Sequence, residues 1–270
     1  MPRDDIDSGH RNLITYTGAL ASWGSKGSVR EEHGVLLCAS GTWLAVVENT
    51  AFRLTAGVTA TDLVDRAEGF FGEIGRGYCM KLRSTGDDED LRAVCAERGL
   101  VEFGEPIPHM ICDHRLGDPA PPDGVELRAV TDIQGVIDFV TINAEAYATY
   151  GMPADVLPDL FDLPELVVAD ERTFVVVAYM ADRPVATALT FVSDGVGGIQ
   201  WVGTVPDVRN MGLGRTVTEW ATNLAFAKGA SSCTLQASPM GEPIYAALGY
   251  ETVYHYRECV RWQPPNAPDA

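Results

Sequence analysis

The sequence predicts a mixed α+β fold, a mainly antiparallel sheet flanked by helices, built as two related halves. Three observations lead there. A β-branched apolar run, Ile199 to Val205, passes through Pro206 and a glycine-bearing loop into a helical pattern that starts at Leu213. The order strand, strand, helix, strand, helix, strand in the first half is echoed in the second. A short run of Pro, Gly and Asp, Asp118 to Gly124 (DPAPPDG), separates them. The expected boundaries are 1–118 for the first domain, 119–124 for a linker, 125–263 for the second domain and 264–270 for a tail.

In the first half, residues 1 to about 10 read as disordered, and Asn12 to Trp23 as helix or mixed structure. Val35 to Ala39 and Trp43 to Val47 read as strands, and Ala51 to Leu54 as the start of a short element. Leu63, Val64, Ala67, Phe70 and Phe71 fall at helical spacing over Thr59 to Ile74, with Thr59 or Thr61 as cap. Within that helix, Arg66 to Phe71 imitates an anion loop, but Phe71 would block close approach of a phosphate, and a packed helix is the better reading. Tyr78 to Leu82 reads as a strand, and Asp87 to Arg98 as a helix with an acidic first turn. Leu100 to Phe103 and Met110 to Asp113 read as two strands parted by a Pro-rich break.

In the second half, Val125 to Ala129 reads as a strand, followed by a helix capped by Thr131. Ala144 to Tyr150 and Ala154 to Leu160 form a helical pair around Gly151-Met152-Pro153. Phe174 to Ala181 and Val185 to Ser193 form a hairpin over Asp182-Arg183-Pro184. Pro206 ends the next strand because it cannot donate to a ladder. Leu213, Val217, Trp220, Ala221 and Leu224 carry the following helix to Lys228, and Gly229 stops it. Thr252 to Trp262 closes the sheet.

The loop before Leu213 carries the chemistry. The first amides of a helix have no partner within it and lie at the positive end of its dipole, so they receive anions. Gly212 and Gly214 let an anion approach the backbone, and Arg209 and Arg215 add charge for phosphate oxygens. The loop is not a P-loop, since no Gly-Lys-Ser/Thr is present. As a dinucleotide fingerprint it is a near miss: Val217 fills the last small-residue slot, and the strand Cys233 to Ala237 has no acid for a ribose.

The run Val205-Pro206-Asp207-Val208-Arg209-Asn210-Met211-Gly212-Leu213-Gly214 instead fits R-x-x-G-x-G. At family spacing it is followed by Thr234-Leu235-Gln236-Ala237 and by Tyr245-Ala246-Ala247-Leu248-Gly249-Tyr250. In these residues the chain resembles the GNAT superfamily of acetyl-CoA-dependent N-acetyltransferases over about residues 124–262. The first half is suspected to be a degenerate GNAT-like domain without a cofactor loop, packed against the second and walling the acceptor site.

The resemblance implies splayed central strands and acetyl-CoA as cosubstrate. Acetyl would pass to a primary amine by direct attack in a ternary complex. The pyrophosphate would lie on Arg209, Asn210, Met211, Gly212, Leu213, Gly214 and Arg215. Gly203, Thr204 and Val205 would border the pantetheine arm, with an amide near Thr204 or Val205 as oxyanion donor, and Ser238 either binds the arm or is a turn residue. Tyr245 occupies the family's general-acid slot. The general base is not evident: Gln200 and Trp201 stand where many relatives carry an acid; Glu145 is either a candidate base or a plain solvated helix residue, and a water chain to backbone carbonyls or an acceptor amine of low pKa would also suffice. Tyr147 and Tyr150 either line the acceptor pocket or pack helix on sheet.

Composition limits the alternatives. The formal net charge is −18 over 270 residues, which opposes binding to nucleic acid or anionic membrane and either favours a cationic acceptor such as an amine or serves solubility alone. Six cysteines without a C-x-x-C pair read as buried thiols. His33, His109, His114 and His255 show no metal spacing, so no metal is expected. The polar start carries no signal-peptide pattern and no apolar run is long enough to span a bilayer, so a soluble cytoplasmic protein is expected. A non-catalytic acyl-CoA-binding or regulatory module is the alternative to an enzyme; a nicotinamide oxidoreductase ranks far behind both.

Overall fold

A computed structural model describes residues 3–263; residues 1–2 and the expected tail, 264–270, lie outside it. The first half contains α1 (Arg3–Ser22), β1 (Ser28–Glu32), β2 (Val35–Ala39), β3 (Thr50–Arg53), α2 (Ala60–Glu73), β4 (Tyr78–Arg83), α3 (Glu89–Glu97) and β5 (Val101–Cys112). The second contains β6 (Val125–Ala129), α4 (Ile133–Ala148), α5 (Val156–Leu160), α6 (Pro164–Ala169), β7 (Thr173–Met180), β8 (Arg183–Ser193) and β9 (Val196–Thr204). It ends with α7 (Leu213–Ala227), β10 (Ser232–Gln236), α8 (Glu242–Ala247) and β11 (Glu251–Arg261).

The strands form one eleven-stranded, mostly antiparallel sheet in the order β1-β2-β3-β4-β11-β5-β10-β9-β8-β7-β6. Two units of like topology are embedded in it. In each, a helix links two parallel strands: α2 between β3 and β4, and α7 between β9 and β10. A second helix then leads to a long last strand. Those last strands are exchanged. β11 lies against β4 of the first half, β5 lies against β10 of the second, and β5 and β11 pair with each other.

Strand alternation assigns the layers. A Cβ at Gly197 would sit 2.3 Å from Ala225 Cβ of α7, and one at Gly198 would sit 2.2 Å from Asn12 Oδ1 of α1. A Cβ at Gly203 would meet Asn143 of α4 at 2.5 Å. So α7 covers one face of β9, while α1 and α4 cover the other. Asn12 fixes α1 in place through Nδ2, which donates to Phe191 O, Val196 O and Ser193 Oγ.

Several sequence expectations are corrected. Residues 3–10 are helical: α1 starts near the N-terminus, and the polar start hid it because its buried stripe begins only at Leu13 and Tyr16. Trp43 to Val47 is not a strand but a loop, organised by the buried Asn49, whose Nδ2 donates to Thr42 O and Leu44 O. The two strands proposed around residues 100–113 are one strand, β5. Its register against β11 jumps between Phe103 and Ile107, a bulge that accommodates Pro106. Asp132, not Thr131, caps α4 by accepting from Gly135 N. The short α6 had no distinct signal. The six cysteines are free and buried, as expected. Among the described residues no helix is long and apolar enough to cross a membrane.

Two predictions follow from the sheet. A fragment of residues 125–263 lacks β5 and so leaves β10 and β11 with open hydrogen-bonding edges. It is expected to aggregate alone and to become monodisperse when residues 1–118 are co-expressed, as read by size-exclusion chromatography; a well-folded isolated fragment would contradict the exchange.

His109 on β5 is fully buried, and burial, with His10 nearby, lowers its pKa from 6.5 to about 3. The Gln236 amide is 2.9 Å from Nδ1. A ring that stays neutral in the folded state costs nothing above pH 6.5, and destabilises increasingly as pH falls below it and the unfolded chain takes up the proton. Between pH 7 and 5 this loss is about 2 kcal/mol. Urea titrations of wild type and His109→Gln at both values should give the smaller pH dependence in the variant.

Candidate active site

β9 and β10 pair over only three positions, Val196 to Gly198 with Ser232 to Thr234. Beyond them β9 continues on β8 as far as Thr204, while Leu235 and Gln236 continue on β5. The sheet therefore opens between Ile199 and Leu235. A cavity of about 790 Å³ fills the opening, lined among others by Ile199 to Val202 of β9, Leu235 to Pro239 at the end of β10 and just past it, and Phe103 to Pro108 of the β5 bulge.

At the mouth of the opening β9 is itself bulged. Thr187 faces Gly203 and Leu189 faces Gln200, so Trp201 and Val202 together oppose Ala188. Trp201 takes φ +50, a left-handed value uncommon for a non-glycine residue. Its ring is held from three sides, by Tyr16 through the indole N–H and by the rings of Tyr147 and Phe161. A bulge leaves a backbone group outside the ladder, here on the cavity wall.

The loop between β9 and α7 begins with a 3-10 turn, Pro206–Val208. Asn210 and Gly212 both adopt left-handed φ, +66 and +84, the kind of turn in which successive amides can make a concavity suited to an anion. Gly212 is the α7 N-cap and offers no side-chain cap. Among the described residues, the amides of residues 210–215 donate to no backbone carbonyl.

The equivalent helix start in the first half is closed. The Thr59 side chain caps α2 by accepting from Asp62 N at 3.1 Å, and Asp62 places a carboxylate in its first turn. Arg66 to Phe71 lies inside α2, with Ala67, Phe70 and Phe71 buried. The first half thus keeps the strand-helix-strand frame without the receptor.

The glycines of the receptor differ in what demands them. Gly212 needs its left-handed φ. Gly214 has no such need, and a Cβ there would meet only Thr204 Oγ1, at an ordinary 3.6 Å. Neither backbone conformation nor packing requires glycine at 214, and a glycine in the first turn of a helix costs stability. Close approach of a ligand to the backbone is the remaining physical reason.

The two arginines are not equivalent. Arg209 turns back onto α4: Nη2 donates to Ala146 O at 3.1 Å and to Thr149 Oγ1 at 3.0 Å, and Nε to Thr204 O at 3.4 Å. It clasps the loop to the C-terminal end of α4, where carbonyls lack helical donors. Arg215 is exposed beside the receptor and shares Nε with Glu219 at 2.8 Å.

Tyr245 of α8 lines the cavity and is 9 % exposed. Burial, with minor contributions from Tyr147 and Tyr150, raises its phenol pKa well above 10, so it stays protonated. A Cβ at Gly241 would lie 2.6 Å from the Tyr245 ring, so the residue at 241 must be small for the ring to sit there. Ser238 lines the cavity too, and its Oγ accepts from Gly241 N at 3.1 Å, so it starts α8 as a turn residue.

Other expected residues are placed differently. Glu145 lies on the exposed side of α4 and is not part of the cavity lining; the helical period turns Tyr147 to the cavity instead. Gly203, Thr204 and Val205 fall beyond the bulge, so the cavity wall on β9 is Ile199 to Val202. Val205 N already donates to Val185 O at 3.0 Å and is not available as an oxyanion donor. Tyr147 and Tyr150 both line the cavity. Sequence reasoning missed Glu48, Lys81 and Glu258, which also line it and come from both halves; long-range pairing left no local signal for them.

Gly214→Ala is expected to leave the melting temperature unchanged or to raise stability by up to about 1 kcal/mol. The same change should weaken acetyl-CoA by about tenfold or more, because the methyl group stands between phosphate and amide. Calorimetry and thermal melting of one preparation test both halves; unchanged affinity would remove the ligand argument for this glycine.

Residues 139–250 match the family model of the acetyltransferase (GNAT) family. A GCN5-related N-acetyltransferase from Kribbella flavida shares the fold at TM-score 0.68, with 20% identity, over 96% of this chain and 96% of that one. A GCN5-related N-acetyltransferase from Sphaerobacter thermophilus gives 0.56, with 17% identity, over 80% of this chain and 72% of that one. A functionally unknown conserved protein from Staphylococcus epidermidis ATCC 12228 gives 0.61, with 13% identity, over 88% and 95%. Identities this low speak to fold alone. None of the curated proteins matches this chain in sequence.

Proposed function

We propose that this chain, whose residues 139–250 form a GNAT acetyltransferase domain, transfers acetyl from acetyl-CoA, the family's cosubstrate, to a primary amine bound in the same cavity. The observation that carries the reading is the set of unpaired amides at residues 210–215 beside an opening in the sheet. A diphosphate on those amides would put the thiol-bearing arm of CoA into the gap between β9 and β10.

When bound, acetyl-CoA supplies an activated acyl group that an amine takes by direct attack, with no covalent enzyme intermediate. The receptor from Arg209 to Arg215 holds the cosubstrate: backbone amides and Arg215 face the phosphates, while Arg209 fixes the loop from behind. The backbone at the Gln200 to Val202 bulge is the best-placed source of a donor to the thioester oxygen, since Val205 is committed elsewhere. As the C–N bond forms and the C–S bond breaks, Tyr245 gives its proton to the departing sulfur, and the proton shed by the attacking nitrogen restores the phenol. A phenol kept neutral by burial holds that proton until negative charge develops beside it, and the same dry surroundings raise the proton affinity of the thiolate. Positioning of both reactants supplies a further share of the rate.

Tyr245→Phe keeps the ring and removes the proton. It is expected to lower kcat by about 10²- to 10⁴-fold with little change in acetyl-CoA affinity. Steady-state CoA release and calorimetry on the same variant separate the two quantities. Full turnover in the variant would take the proton-donor role from Tyr245, and failure of wild type to bind acetyl-CoA would overturn the whole reading.

A further inference from the structure

The far end of the cavity is built from three charged side chains of different strands and loops. Lys81 on β4 and Glu258 on β11 are direct cross-strand partners, and Lys81 Nζ lies 3.2 Å from Glu258 Oε1. Glu48, in the loop before β3, lies 3.5 Å from the same Nζ through Oε1, and its Oε2 accepts from Thr17 Oγ1 at 3.2 Å. The three side chains are only 11, 10 and 17 % exposed in the order Lys81, Glu258, Glu48. All three line the cavity that contains Tyr245.

The charges do not balance. Burial works against the Lys81 ammonium, but the Glu48 and Glu258 carboxylates more than offset it and hold the lysine protonated. One ammonium shared by two carboxylates leaves an excess negative charge in a place where unpaired charge is costly. Glu105 and Glu242 also line the cavity, so four carboxylates face one ammonium around it. The lining of the same cavity also includes the apolar Leu13, Val46, Val47 and Ile107.

We propose that the acceptor is a small aliphatic amine with a second basic group, whose ammonium is bound by Glu48 and Glu258 while its free amine reaches the acetyl group near Tyr245. This rests on the acetyl-transfer reading and narrows its substrate class. Lys81 holds the two carboxylates apart and is already paired with both, so it offers little to an anionic acceptor. The apolar walls suit a methylene spacer between the two nitrogens.

Three probes of similar length differ only at the far end: cadaverine, pentylamine and aminovalerate. With full-length protein saturated with CoA, calorimetry should show cadaverine binding about tenfold or more tighter than pentylamine, with aminovalerate weakest. Glu258→Gln and Glu48→Gln should each remove most of that preference, raising the KM for cadaverine more than they change kcat. The two variants are independent, so a folding defect in one leaves the other decisive. Equal affinity for cadaverine and pentylamine, or a preference untouched in the folded variants, would overturn the proposal. Calorimetry judges it even without turnover: a cadaverine preference with no amine consuming acetyl-CoA would uphold the charge recognition and sink the acetyl-transfer reading instead.

Discussion

Three residue pairs join β9 to β10, and the loss of the fourth shapes the molecule. Had the ladder continued, Ile199 to Val202 and Leu235 to Ala237 would have satisfied one another and closed the gap. The bulge at Trp201 and Val202 turns β9 away at that point, and β10 follows β5 instead. The left-handed Trp201 backbone is held by Tyr16 from α1 and by Tyr147 from α4, so helices from both halves keep the strands apart. The separation is thus a packed feature with its own support.

The two helix starts after parallel-pairing strands show how one frame yields a receptor in one place and plain structure in another. α2 begins with Thr59 and Asp62, which meet its free amides from within the chain. α7 begins with Asn210, Gly212 and Gly214, which meet none of them. The difference amounts to a few side chains at the turn. Whatever cosubstrate chemistry resides in this protein therefore belongs to the second half, while the first supplies β5, the loop that bears Glu48, and α1.

Much of this was legible in the sequence. The R-x-x-G-x-G run and the Tyr245 to Tyr250 segment pointed to the loop with unpaired amides and to a phenol that lines the cavity, because short local motifs carry backbone conformation with them. The hairpin of β7 and β8, and the helices α2 and α7, followed from periodicity. What escaped depended on distant partners. Pro106 and Gly104 looked like a break, and only the pairing of β5 with β11 makes them a bulge within one strand. Glu145 had the right chemistry but the wrong side of α4. The bond from Arg209 to the carbonyl of Ala146, sixty-three residues earlier, had no signal in the sequence. Glu48, Lys81 and Glu258 are unremarkable in sequence and become a cluster only because β11 crosses into the first half.

The exchange of β5 and β11 also constrains heredity. Each half closes with a strand from the other, so a replacement for either segment has to supply a last strand that fits the partner's edge. A lineage that altered acceptor preference would be expected to change both segments together, at the seam where β4, β11 and β5 run side by side.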